Sequence, residues 1–259
     1  GPRAAAVRLA LAMSALRAAR AIDAAAKLAH AMDAELSATY VQDEDLLRAA
    51  ALPCSFEIGS LASGVRPFGL PETERALKRE AQEVERAIAT IAKQLGLGWT
   101  FEVIRGRAID WPFDRAAADD ITVIGKAGIE LQFPQMAPTH GRIASPNNAP
   151  ILAIIDSTPG AVERLDRILR DLGGSAPVAM WTPEQANGQR LDIQALGQDS
   201  PRVTRRVTND EPFSAASVAR VMRTLRPGIV IIARSLAEKI RAELPVVMRL
   251  VPGTMIFAP

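Results

Sequence analysis

The sequence predicts an α/β chain: two tandem open parallel sheets with flanking helices, packed as a pseudo-dimer. Three observations carry this expectation. Short apolar runs alternate with segments of helical period along the 259 residues. Strands separated by helices pair in parallel through right-handed crossovers, which leaves helices on both faces of an open sheet. The order then starts again near mid-chain, and the length suits two domains of about 130 residues each. We place the boundary near Asn147 to Pro150, with a first domain over 3–148 and a second, shorter one over 149–259.

Taken in order, "AVRLALAM" (6–13) is an apolar strand. The next segment repeats Leu16, Ala19, Ile22, Ala26, Ala29 and Met32 at helical spacing. "ELSATYV" (35–41) is a second strand, followed by a short helix opened by Asp43, Glu44 and Asp45. Residues 53–71 contain Pro53, Gly59, Gly64, Pro67, Gly69 and Pro71 and read as a long loop. From Pro71 to Leu95 a proline in the first turn, early Glu72 and Glu74, late Lys93 and Gly96 just beyond mark both ends of a long helix. "WTFEVIRG" is the third strand, "RAIDWPFDRAAA" a helix broken or started afresh at Pro112, and "DDITVIG" the fourth strand.

The second round runs "PILAIID", a helix over "TPGAVERLDRILRDLG", "APVAMWT", a link over 183–196, "RVTRRVT", a helix over "SAASVARVMRTL", and "GIVIIAR". A helical "LAEKIRAELPVVMRL" and a last strand "GTMIFAP" follow. Two matches suggest duplication: "DDITVIGK" with "RPGIVIIAR", and "NAPILAII" with "VPGTMIFA".

Composition narrows the chemistry. With 48% apolar and 23% charged residues the chain has ordinary globular values. Lys and Arg number 31 against 29 Asp and Glu, and aromatics are 4% and not interleaved with basic residues, so no nucleic-acid partner is implied. Cys54 is the single cysteine, and His30 and His140 are the two histidines, far apart. That disfavours a disulfide, a zinc site and a Ser-His-Asp triad, and the expectation is a non-enzymatic protein with no metal. The arginines at 3, 8, 17 and 20 interrupt the Ala-rich start, so neither a membrane span nor a secretory signal is read, and a cytoplasmic location is expected. Gly1-Pro2 reads as the scar of a cleaved tag.

The order of elements, together with "AELSATYVQDEDLLRAAALP" after the first helix, resembles the universal stress protein family in its tandem bacterial form. The resemblance implies a five-stranded parallel sheet of the adenine nucleotide α-hydrolase type, and dimerisation of many members through the last strand. Some members bind ATP. In those, an acidic residue at the end of the first strand faces the adenosine, and a loop after the fourth strand supplies Gly-x-x-Gly and then Gly-Ser or Gly-Thr for the phosphates. Glycines let backbone N–H groups approach phosphate, and the next helix presents its positive end.

On that pattern Gly125 and Gly128 match Gly-x-x-Gly, with Lys126 between them as an added cation. The next glycine, Gly141, lies farther on than the family spacing and is followed by Arg142 instead of a hydroxyl residue. The first strand ends in Met13-Ser14, with no acid. In the second half Asp156 stands at the acidic position and "DSTPG" resembles the family's Asp-Gly-Ser-Pro turn, but "IARSLAEK" has no glycine. The acid is in one copy and the glycines in the other.

Other candidates have bland readings beside the functional ones. Asp43, Glu44 and Asp45 suit a helix N-terminus better than a cation site. Cys54 lacks basic neighbours that would activate it. His140 reads as an exposed loop residue, and Arg105 and Arg107 as charges at a strand end that also suit an anion. Arg202, Arg205 and Arg206 mark a protected sheet edge.

The favoured expectation is a stress-related regulatory or interaction module with a degenerate nucleotide site, no resident cofactor and a protein partner, with a homodimer as a further option. The alternative is an ATP or AMP sensor that uses Gly125, Lys126 and Gly128 for phosphates and Ser14 near the ribose or base. An adenylating ligase or transferase of the wider fold ranks last, since fold is a poor guide to reaction.

Overall fold

A computed structural model describes residues 6–12, 15–53, 56–58, 65–67, 69–107, 117, 120–126, 149–156, 158, 160–173, 176–183, 203–207, 213–249 and 253–259. The first half supplies β1 (Val7–Ala12), α1 (Ala15–Ala31), β2 (Leu36–Asp43), α2 (Glu44–Ala50), β3 (Phe56–Ile58), β4 (Val65–Pro67), α3 (Leu70–Leu95), β5 (Trp99–Gly106) and β6 (Ile121–Lys126). The second supplies β7 (Ile151–Ile154), α4 (Ala161–Leu172), β8 (Val178–Trp181), β9 (Val203–Val207), α5 (Ala215–Leu225), β10 (Ile229–Ala233), α6 (Arg234–Lys239), a 3-10 turn (Arg241–Glu243), α7 (Leu244–Arg249) and β11 (Thr254–Ala258).

The α/β expectation is met, with one refinement. Among the described residues, nine of the eleven strands form one sheet in the order β5-β2-β1-β6-β11-β10-β7-β8-β9, and β3 and β4 pair separately. Within β5-β2-β1-β6, and again within β11-β10-β7-β8-β9, every pairing is parallel. Between the two sets β6 and β11 run antiparallel, with Thr254 opposite Gly125, Met255 opposite Ile124, Ile256 opposite Val123 and Phe257 opposite Thr122. The halves therefore share a seam of backbone hydrogen bonds rather than presenting two separate sheets.

Packing also crosses the seam. One layer sets α1, α3 and α4 against Val7, Leu9, Leu11, Val123, Ile151, Ala153, Ile231 and Ile256, all buried. Helix α1 of the first half packs directly on α4 of the second. The opposite layer sets α5, α6 and α7 on Ala10, Ile124, Ile154, Ile232, Met255 and Phe257. Strands covered on both faces carry near-continuous apolar runs, which is why β7, β10 and β11 read as "ILAI", "IVIIA" and "TMIFA".

A charged cluster lies beside the seam. Asp120, only 1% exposed, accepts from the Arg8 Nε, from the Ala6 amide at 3.1 Å and from the Ala117 amide at 2.9 Å. From the other half, Arg234 donates to the Ala117 carbonyl at 2.6 Å, to the Asp120 carbonyl at 3.3 Å and to the Thr122 hydroxyl at 3.4 Å. Burial alone would raise the Asp120 carboxyl, but the hydrogen bonds from Arg8, Ala117 and Ala6 outweigh it and hold the group below its ordinary value.

Several local expectations are refined. The long helix has its proline at the start and ends on Gly96, which adopts the left-handed conformation at φ 67°. Asp43 caps α2 by accepting from the amides of Asp45 at 2.9 Å and Leu46 at 3.3 Å, the helix-terminus role expected of the acidic cluster. Residues 53–71 are not simply a loop, because Phe56–Ile58 and Val65–Pro67 pair antiparallel as a hairpin. The helical stretch after β10 breaks into α6, a 3-10 turn and α7, as Pro245 has no N–H to continue a helix. "NAPILAII" is not the counterpart of "VPGTMIFA": its Ile151–Ile154 is β7, held between β10 and β8 as the first strand of its set. The helix expected over 107–118, apart from Arg107 and Ala117, the link beyond residue 183 and Cys54 lie outside the described residues.

Two expected outcomes follow. Asp120→Asn leaves Arg8 buried beside a neutral group and should cost about 3 kcal/mol in urea unfolding at pH 7. Because the folded Asp120 value is depressed, its stabilisation is present above the unfolded value of about 3.9 and is lost as pH falls through the folded one. The gap between wild type and Asp120→Asn should therefore narrow on acidification. Second, a Cβ added at Gly253 would lie 2.7 Å from the Gly228 carbonyl oxygen, a backbone atom. Gly253→Ala should cost about 1–3 kcal/mol, read as a lowered thermal midpoint.

Candidate functional site

Open parallel sheets bind ligands outside the carboxyl ends of their strands, where the strand order reverses. Here the reversal falls between β1 and β6 in the first set and between β7 and β10 in the second.

At the first, β1 ends on Ala12 opposite Lys126, the last residue of β6. Gly125 is not a loop residue. It is buried within β6, hydrogen-bonded into the ladder between Leu11 on one side and Thr254 on the other. Lys126 is placed at the strand end by its backbone. Ser14, Gly128, Gly141, Arg142 and His140 lie outside the described residues, so of the residues expected near a phosphate in the first half Gly125 and Lys126 are described, both in β6.

At the second, Asp156 follows β7 and is 6% exposed. One carboxylate oxygen accepts from both the Thr158 amide at 3.3 Å and the Thr158 hydroxyl. The other accepts from the Ser235 hydroxyl, which α6 brings to the end of β10. Arg164, on α4, donates to the Thr158 hydroxyl at 3.0 Å. Burial would raise the Asp156 carboxyl, but hydrogen bonds from Ser235 and Thr158, helped by the Arg164 charge, hold it below its usual range. Asp156 is therefore an anion at neutral pH. The hollow bounded by Asp156, Ala161, Arg164, Ile231, Ala233 and Ala258 has a volume of about 10 Å³. That is barely one water, whereas small-molecule sites span about 300–1,000 Å³.

Sequence reasoning placed Asp156 correctly at a strand end but missed Ser235 and Thr158 as its partners. A serine two residues beyond an apolar strand was the available signal, and it has no meaning until β7 and β10 are known to be neighbours.

The charged candidates at the start of α2 and the end of β5 are engaged in ion pairs. Arg105 pairs with Glu74 at 2.9 Å and Arg107 with Asp45 at 3.6 Å, both on the surface. Glu44 and Asp45 pair with Arg48. Among the described residues no group of three or more His, Cys, Asp or Glu side chains is arranged to hold a metal ion. No helix among them is long and apolar enough to cross a membrane. A larger hollow of about 450 Å³ lies elsewhere, between α3 and β5, lined by Glu74, Lys78, Glu85, Phe101, Val103 and Arg105 among others.

Comparison with known proteins gives likeness of shape without likeness of sequence. No family model matches the chain, and no curated protein matches it. Among solved structures it is similar to a universal stress protein from Archaeoglobus fulgidus DSM 4304, at 10% identity and a TM-score of 0.44, covering 97% of this chain and 95% of that one. A protein of the universal stress protein family from Burkholderia pseudomallei matches at 14% identity and a TM-score of 0.28, over 81% of this chain and 99% of that one. A functionally unknown protein from Pseudomonas aeruginosa PAO1 matches at 10% identity and a TM-score of 0.41, over 98% and 92%. At such values these likenesses assign no site and no activity.

If Ser235 is what keeps Asp156 ionised, Ser235→Ala should raise the Asp156 carboxyl and cost about 1.5–3 kcal/mol at pH 7. The depressed carboxyl stabilises above its unfolded value of about 3.9 and loses that contribution as pH falls through the folded one, so wild type and variant should converge in urea midpoint on acidification below that unfolded value.

Proposed function

We propose that the chain is a non-enzymatic regulatory or interaction module related to universal stress proteins in their tandem form. The observation that supports this most is the second-half crevice. At the position where the family resemblance expects an adenosine-facing acid, Asp156 spends both carboxylate oxygens on Thr158 and Ser235, and the space beside it is about 10 Å³. A nucleotide would have to break those bonds before gaining any of its own. The absence of a glycine in "IARSLAEK" agrees with this, since the backbone after β10 turns directly into α6. On this reading the protein works through a protein partner in the cytoplasm, holds no resident cofactor, and its second-half nucleotide site is degenerate.

A second reading is favoured by Lys126, which stands at the carboxyl edge opposite the end of β1. On that reading the first half is an adenine-nucleotide sensor in which Gly125, Lys126 and Gly128 would serve the phosphates and Ser14 the ribose or base, with Gly141 and Arg142 following in the sequence.

Calorimetry with ATP and Mg²⁺, with AMP, and with an adenine-free phosphate control separates the two. The module reading expects no saturable heat, that is, no dissociation constant tighter than about 1 mM. Saturable binding that requires adenine and is abolished by Gly128→Trp, with far-UV circular dichroism unchanged, would establish the sensor reading instead.

A further inference from the structure

Among the described residues the sheet has two outer strands, β5 and β9. An outer strand is a template for another chain unless it is short or charged. β9 is five residues long and includes Arg205 and Arg206, with Arg202 just before it. β5 is eight residues long, "WTFEVIRG", with Glu102 and Arg105 as its charges. Among the described residues its one ladder neighbour is β2. Trp99, Phe101, Val103 and Arg105 share the α3 face; Trp99 and Phe101 are half-buried and Val103 is 46% exposed. The 450 Å³ hollow opens beside Phe101 and Val103 on this face.

We propose that β5 pairs antiparallel with β5 of a second copy of this chain, about a two-fold axis through Val103. Directly opposed residues of an antiparallel pair share a face, and two-fold symmetry makes such an interface self-complementary. Two registers overlap the strands almost completely. The one centred on Glu102 sets Glu102 against Glu102, an opposition of like charges that destabilises a ladder. The one centred on Val103 sets Val103 against Val103, Phe101 against Arg105 and Glu102 against Ile104, and one step further on Trp99 against Arg107. Each aromatic ring then meets a guanidinium within the reach of a cation–π contact. The arginines are already held at the strand end, Arg105 by Glu74 and Arg107 by Asp45. The hollow beside Phe101 leaves room for the incoming side chains. This surface differs from the last-strand interface that the family resemblance suggests, because the last strand, β11, is already paired with β6. It stands independently of any nucleotide site.

The axis makes the test specific. Sedimentation equilibrium of the full chain should show a doubled mass at about 100 µM. Val103→Lys and Val103→Glu should each sediment as monomers with unchanged far-UV circular dichroism, since each places two like charges face to face. An equimolar mixture of the two should recover the doubled mass. In a Cys54→Ser background, Val103→Cys should oxidise to a covalent dimer, as opposed Cα atoms lie about 4.5–5.5 Å apart, within disulfide range. A wild-type chain that stays monomeric at that concentration overturns the proposal. So does a dimer that survives Val103→Lys, a mixture of charge variants that remains monomeric, or a dimer that Val103→Cys fails to cross-link.

Discussion

The antiparallel ladder between β6 and β11 is the constraint on which the rest of the molecule depends. Without it the first strand set would end on β6 and the second on β11, each an exposed row of unpaired backbone groups. With it, one sheet spans the chain, α1 can pack on α4, and a single apolar layer runs from Leu36 to Leu172. The Asp120 cluster guards the same seam. A buried carboxylate is tolerable only when its oxygens are fully used, and Arg8, Ala6 and Ala117 use them. Arg234 then ties the start of β6 to the end of β10 through backbone carbonyls, which a lysine's point charge would match less well than a planar fork.

The seam also governs what chemistry the two halves can share. Since β6 and β11 are antiparallel, the carboxyl ends of the two strand sets lie at opposite ends of the sheet. Lys126 is at one end and Asp156 at the other. Gly125 and Lys126 of the first half and Asp156 of the second therefore cannot meet on one small ligand.

Much of the fold was legible because it rests on periodicity. β5 and α3 were bounded to within a residue by alternation, Pro71 and Gly96, and the apolar runs of β7, β10 and β11 announced strands buried on both faces. What was not legible depends on partners distant in sequence. Nothing local distinguishes a last strand that pairs with its own half from one that also pairs with the other. The hairpin of β3 and β4 was hidden by the density of proline and glycine around it. At the candidate site the same rule holds: Asp156 was visible as an acid at a strand end, but its capture by Ser235 depends on two strands that meet only in the folded sheet. Gly125 was misleading in the opposite sense, since a glycine near a strand end reads as a loop until the ladder is known to continue through it.

The seam sets an order of events during synthesis. About half the chain separates β6 from β11, so this is a pairing of high sequence separation, slow to close and unavailable until late. While the chain emerges from the ribosome, the first four parallel strands can assemble, yet β6 must wait at the rim with its polar groups bare. Until β11 arrives, β6 is the adhesive rim of the nascent sheet, and the late strand is what closes it.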